Sequence, residues 1–143
     1  MQNILEQNKA VVRRFNEACL LRADMNALDE IVHPDFINHT APAGFANDKN
    51  SLKTFINTGL SNIDGLKLDI HAMYAEGDTV ITHKTFTGTL KAPFMGQTEI
   101  GKPFSMRIID IVQLQNGQYM AHWSIREVKQ GFHQPHIPKS TQA

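Results

Sequence analysis

The segment SMRIIDIVQL places a carboxylate where a strand is otherwise most apolar. Alternate side chains of an extended chain share a face, and Phe104, Met106, Ile108, Val112 and Leu114 form one apolar row that Asp110 interrupts. Burial there disfavours the charged form, which predicts an Asp110 pKa raised towards the range useful for acid–base work. A carboxylate that is only a hydrogen-bonded structural group would instead be ordinary or depressed.

The segment MAHWSIRE brings His122, Trp123, Ser124, Arg126 and Glu127 into the following extended stretch. Which of them meet Asp110 depends on the turn at Asn116 and Gly117. A two-residue turn puts Trp123, Ile125 and Glu127 on its face; a three-residue loop brings His122, Ser124 and Arg126 there instead. Both registers are compatible with the sequence. His83 and Lys84 in VITHKTF must likewise take opposite faces, with Phe86 marking the Lys84 side as apolar.

Metal and nucleotide chemistry find little support. His33 and Asp35 precede His39 in HPDFINH, but the interval around Pro34 lacks the spacing of a known metal site. His133 and His136 form a pair in the tail with no fixed cage. No Gly-rich phosphate loop follows a strand. No metal and no cofactor are expected.

These residues need elements to hold them. Ile4, Leu5, Val11, Val12, Phe15, Ala18 and Cys19 recur at helical spacing, predicting a helix from about Asn3, its cap, to Arg22. Asp24 caps a short second helix that ends at His33-Pro34. A third runs from Asp48 to about Gly59 and buries Leu52, Phe55 and Ile56. After NIDG the texture becomes β-branched and aromatic. LKLDIHAMYAEG and DTVITHKTFTGTL form one strand pair about Glu76-Gly77-Asp78, and KPFSMRIIDIVQLQ and QYMAHWSIREV a second about Asn116-Gly117. Helices followed by a strand meander mean an α+β fold, with helices on one face of an antiparallel sheet.

The chain of 143 residues is long enough for a single domain, expected over residues 1–130, with 131–143 as a loosely ordered tail. Lys plus Arg and Asp plus Glu both number 14, so no net field marks the chain for nucleic acid or an anionic membrane. A small neutral, hydrophobic ligand is the expected partner. Cys19 is the only cysteine and no apolar run reaches membrane-span length, which points to a reducing, cytoplasmic setting. Ile109 and Ile111 make the second face of their strand apolar too, and cover for that face is expected from a second copy, in a homodimer through the sheet.

Several of these segments in order resemble the SnoaL-like polyketide cyclase family of the nuclear transport factor 2-like superfamily. The resemblance runs through HPDFINH, then Gly77, Asp78, Gly88, Thr89, Phe94, Gly96, Gly101 and Lys102, then NGQYMAHW. It implies a cone of curved antiparallel sheet closed by helices, and cofactor-free aldol ring closure in which a carboxylate removes a proton beside a carbonyl. Asp110 matches a position used for acid or hydrogen-bonding residues in related cyclases and isomerases. His122 and Ser124 then become its partners in catalysis, because the family's acid–base aspartate commonly follows a His-Trp pair directly. His39 resembles a histidine of the pocket mouth, and Trp123, Phe94, Met106 and Ile108 are expected as substrate contacts. The chain departs from the pattern at Ser124, which stands where a carboxylate is expected, and at Leu90, where many relatives have histidine. Hydrolysis of an epoxide by activated water would need a second carboxylate facing Asp110, with Asp69 and Glu127 as the strand candidates.

Overall fold

Three aspartate or asparagine caps start the helices where the sequence places them. In the computed structural model, which describes residues 3–130, Asn3 Oδ1 accepts the Glu6 N–H at 2.9 Å and opens helix α1 (Ile4–Arg14). Asp24 caps α2 (Met25–Ile31) through the Ala27 N–H at 3.1 Å. Asp48 caps α3 (Lys49–Thr58) through the Ser51 N–H at 2.9 Å. Each cap satisfies a donor that the first helical turn leaves without an intrahelical partner.

The first helix does not continue in α form to Arg22. From Phe15 to Leu21 it runs as a π-helix, a wider turn that often accompanies functional positions. Here the segment buries Phe15, Asn16, Ala18, Cys19 and Leu20 together, whereas Ile4 at the start of the expected stripe is exposed. Burial pushes the Cys19 thiol up to about 12, as an inert core sulfur requires.

Strand β1 (Val32–Asn38) occupies the segment expected only to end the second helix. It is an edge strand, paired in parallel with the last strand, and its register breaks between Val32 and Ile37. An edge with interrupted pairing tolerates Pro34, which has no N–H for a ladder. The sheet is therefore mixed rather than wholly antiparallel, in the order β1-β5-β4-β3-β2. The other strands are β2 (Ile63–Glu76), β3 (Thr79–Leu90), β4 (Pro103–Gln115) and β5 (Gln118–Gln130). β2 begins earlier than its β-branched texture, because the NIDG segment is already paired with the end of β3 through an irregularity between Asp64 and Lys67.

Burial along β4 follows the predicted alternation. Phe104, Met106, Ile108, Asp110, Val112 and Leu114 are all buried, and they join Leu28, Ile31, Ile56 and Leu60 from the helical side in one core. Ile109 and Ile111 on the other face are only half-buried. Among the described residues no helix is long and apolar enough to cross a membrane. The 131–143 segment expected as a tail, with His133 and His136, lies outside the described residues.

Candidate active site

The turn between β4 and β5 resolves the choice of register in a way neither alternative anticipated. Gln115 pairs with Gln118 across a two-residue turn, with φ of 51° at Asn116 and 75° at Gly117. Both central residues of a type I′ hairpin turn need positive φ, and Asn-Gly supplies them cheaply. Further along the hairpin, Leu114 pairs with Tyr119 but Gln113 with Ala121, so Met120 is an extra residue on β5. This β-bulge shifts the ladder by one. Asp110 consequently faces Ser124, with His122 and Arg126 opposite Val112 and Ile108 on the same side.

Those side chains line a cavity of about 70 Å³ whose walls also include Phe15, Phe36, Phe86, Met106 and Ile108. Lys84 reaches in from β3, with its ammonium 2.5 Å from Asp110 Oδ2. It also donates to Asn16 Oδ1 at 2.5 Å, and Asn16 is held from the other side by donating to the Val12 carbonyl at 2.8 Å. The π-helical segment thus supplies the amide that seats the lysine.

The second Asp110 oxygen, Oδ1, lies 2.7 Å from His122 Nε2. His122 Nδ1 is 2.8 Å from Asn38 Oδ1, and that oxygen also accepts the Thr40 N–H at 3.2 Å. The Thr40 contact orients the Asn38 amide with Oδ1 towards the imidazole, so His122 is held between Asn38 at Nδ1 and Asp110 at Nε2. Ser124 is tied down separately. Its N–H donates to Thr40 Oγ1 at 2.8 Å, and the two hydroxyls lie 3.3 Å apart.

The charges on this network reverse the sequence expectation for Asp110. Burial acts most strongly on the carboxyl and pushes it up, but the Lys84 charge, with hydrogen bonding and charge from His122 and a further Lys84 hydrogen bond, together outweighs it. Asp110 is held well below the ordinary carboxylate range and is ionised. Tyr119, which also lines the cavity, moves the other way: burial first, then Asp110 and Cys19, raise its phenol well above its usual value. It remains a neutral hydroxyl.

The family model for SnoaL-like polyketide cyclases matches residues 10–134. The chain belongs to the SnoaL-like polyketide cyclase family. Its fold is similar to that of TsrD from Streptomyces laurentii, at 22% identity over 88% of this chain and 92% of that one, with a TM-score of 0.76. It is similar too to a putative SnoaL-like polyketide cyclase from Jannaschia sp. CCS1, at 20% identity, 89% and 90% coverage and a TM-score of 0.74. IdmH, a putative polyketide cyclase from Streptomyces antibioticus, matches at 22% identity, 85% and 92% coverage and a TM-score of 0.70. No curated protein shows significant sequence similarity.

Within this SnoaL-like chain the residues singled out from sequence divide between two faces. Asp110, His122, Ser124, Met106 and Ile108 line the cavity. Trp123 and His39 do not. They stack on each other on the opposite face of the sheet, with ring centroids 4.6 Å apart and planes within 6°. Phe94 lines a neighbouring groove together with Phe45 and Met95. Glu127 and Asp69 are exposed, leaving Asp110 as the single carboxylate of the cavity lining among the described residues. Leu90, in the family's usual histidine position, is buried in the core.

Sequence reasoning did not assign Lys84, Asn16, Asn38 or Thr40 to the site, and it brought Arg126 to the Asp110 face in only one of two registers. The signal for Lys84 was present in its alternation with Phe86, whose ring lies 5.3 Å from the ammonium. Asn38 sits beside His39 in HPDFINH, so the motif was legible and its inward member was not.

Proposed function

We propose that this protein catalyses cofactor-independent enolate chemistry, ring closure or isomerisation, on a hydrophobic small-molecule carbonyl compound. The observation that carries the reading is one buried carboxylate held between an ammonium and an imidazole in a predominantly apolar cavity. Asp110 takes the proton from the carbon beside the carbonyl, using a lone pair left over by Lys84 and His122. The C–H electrons move into the enolate, whose oxygen is stabilised by the cationic donors around the cavity. The enolate carbon then attacks a second carbonyl, and the new alkoxide takes back the proton from Asp110. In isomerisation the same proton returns to a different carbon. Neither route needs an oxidant or a co-reactant.

The depressed Asp110 favours particular substrates. A carboxylate so stabilised is always ionised near neutral pH but is a weak base, so the reading fits a carbon acid already activated by two flanking carbonyls. An aspartate base without a strongly raised pKa suffices where donors stabilise the enolate, as in ketosteroid isomerase. Ser124 is a hydroxyl engaged with Thr40, and its part is positioning the cavity wall and the turn after β1 rather than taking protons. A homodimer through the outer sheet face belongs to the same reading.

Deuterium exchange into the central carbon of an aryl 1,3-diketone in D2O, followed by NMR against a buffer blank, tests the proposal without a known substrate. Wild-type protein should accelerate exchange, and folded Asp110→Asn should lose about a hundredfold or more of that acceleration. Exchange that is not accelerated, or is undiminished in the variant, rejects it. A second reading, a module that binds the same ligands without turnover, is favoured by the full ion pairing of Asp110. Saturable binding of the diketone without exchange supports that alternative.

A further inference from the structure

Two cations, Lys84 and Arg126, line the cavity beside a single carboxylate, Asp110. Lys84 is matched by Asp110 and seated by Asn16. Arg126 has no such match. Its guanidinium is half-buried, and its one hydrogen bond among the described residues is from Nη2 to the Thr40 carbonyl at 2.8 Å. No carboxylate of the described residues forms an ion pair with it. Burial lowers the guanidinium from its ordinary value and the charge of Asp110 offsets that in part.

The position of Arg126 gives this vacancy a purpose. It lines both the inner cavity and an adjoining groove of about 450 Å³, walled by Phe45, Phe55, Pro93, Phe94 and Met95. Along β5 it stands two residues beyond Ser124 and four beyond His122, roughly 13 Å along an extended strand from the histidine. The inner cavity alone, at about 70 Å³, holds only the reacting end of a molecule of polyketide size. Pro42, Phe55 and Arg126 border both spaces, so the remainder can extend past Arg126 into the groove.

We infer that the ligand of this cavity carries a carboxylate, held by Arg126 at the border between the inner cavity and the groove, with its apolar portion lying against the groove's aromatic wall. A planar guanidinium with most of its N–H groups unused matches a carboxylate in a two-pronged contact. A phosphate would call for further cations, and the nearest, Lys84, is already committed to Asp110. A neutral ester would leave the guanidinium's charge uncompensated. The inference deepens the enolate reading, which it takes as its starting point, by naming the charge of the substrate.

Octanoate and methyl octanoate, titrated calorimetrically into the full chain, separate the two forms of one ligand. The acid should bind at least about tenfold more tightly than the ester, the usual scale for a hydrogen bond to a charged group. Folded Arg126→Gln, checked by circular dichroism, should remove that preference. In the wild-type protein the Arg126 side-chain Nε–H resonance should move on addition of octanoate and stay still with the ester, a readout that needs no variant. Ester binding equal to or tighter than acid, no binding of octanoate, an unmoved Arg126 resonance, or a preference that survives in Arg126→Gln each overturns the inference. Because these are binding measurements, an acid preference without diketone exchange would reject the catalytic reading and leave the assignment of ligand charge standing.

Discussion

Lys84 and Asp110 determine each other's behaviour, and their pairing is the most testable property of the site. Breaking a buried pair by removing one partner typically costs about 3–5 kcal/mol, because the other charge is left stranded. Lys84→Met should therefore destabilise the protein by that order in urea unfolding, and a loss under about 1 kcal/mol would show that the pair is solvated. The pH dependence has a definite sign. Asp110 is depressed in the folded state relative to 3.8, so the native protein binds fewer protons than the unfolded chain as pH falls below that value. Its contribution is fully present above the ordinary carboxylate range and is lost in the strongly acidic region below it. In Lys84→Met the largest attraction holding the carboxylate down is gone, so the folded-state depression shrinks and the acid-side loss of stability due to Asp110 should be smaller than in the wild type. Urea midpoints measured across the acid range check this, and coincident profiles for variant and wild type would contradict it.

At the scale of elements, one of the motif glycines, Gly88, marks a place where two strands approach closely. Gly88 on β3 lies against the irregular start of β2, where a Cβ would meet Ile63 Cγ2 at 2.4 Å and the Asp64 carbonyl oxygen at 2.8 Å. Gly88→Ala should cost about 1–3 kcal/mol in thermal or urea unfolding, since backbone as well as side chain must give way. An alanine variant as stable as the parent would mean that the Gly-Thr motif has another basis. The extra residue on β5 is more consequential for function. Met120 has no special backbone chemistry, yet its bulge puts His122, Ser124 and Arg126 rather than Trp123 on the Asp110 side. Turn chemistry at Asn116-Gly117 was legible because it follows from local φ preferences. The bulge was not, because it is decided by which faces of both strands can be buried at once.

For the whole molecule, the outer face of the sheet bears on assembly. Tyr74, Ile81, Ile111 and Trp123 lie in one cross-strand row, and His83, Ile109 and Ile125 in the next. Ile125 is 74% exposed and Tyr74 44%. Two adjacent apolar rows of this kind favour the proposed pairing of two copies face to face. Light scattering at micromolar concentration should give twice the chain mass, and Ile125→Lys should give the chain mass with an unchanged circular dichroism spectrum. A wild-type protein that is monomeric under those conditions would remove the proposal.

The sequence by itself determined the kinds and order of most elements, the three helix caps, the burial of Asp110 and, through motifs in order, the family resemblance. Those properties depend on local backbone preference and on periodicity, which neighbouring residues carry. It missed β1, because a proline-containing edge strand gains its pairing only from β5. Tertiary structure alone decided the state of Asp110. Burial was visible from one strand and predicted a raised pKa; Lys84 lies on another strand and His122 reaches the carboxylate through a bulge, and together they reverse the direction. A side chain's solvation is read from its own segment, whereas the charges it meets are set by strands distant in sequence.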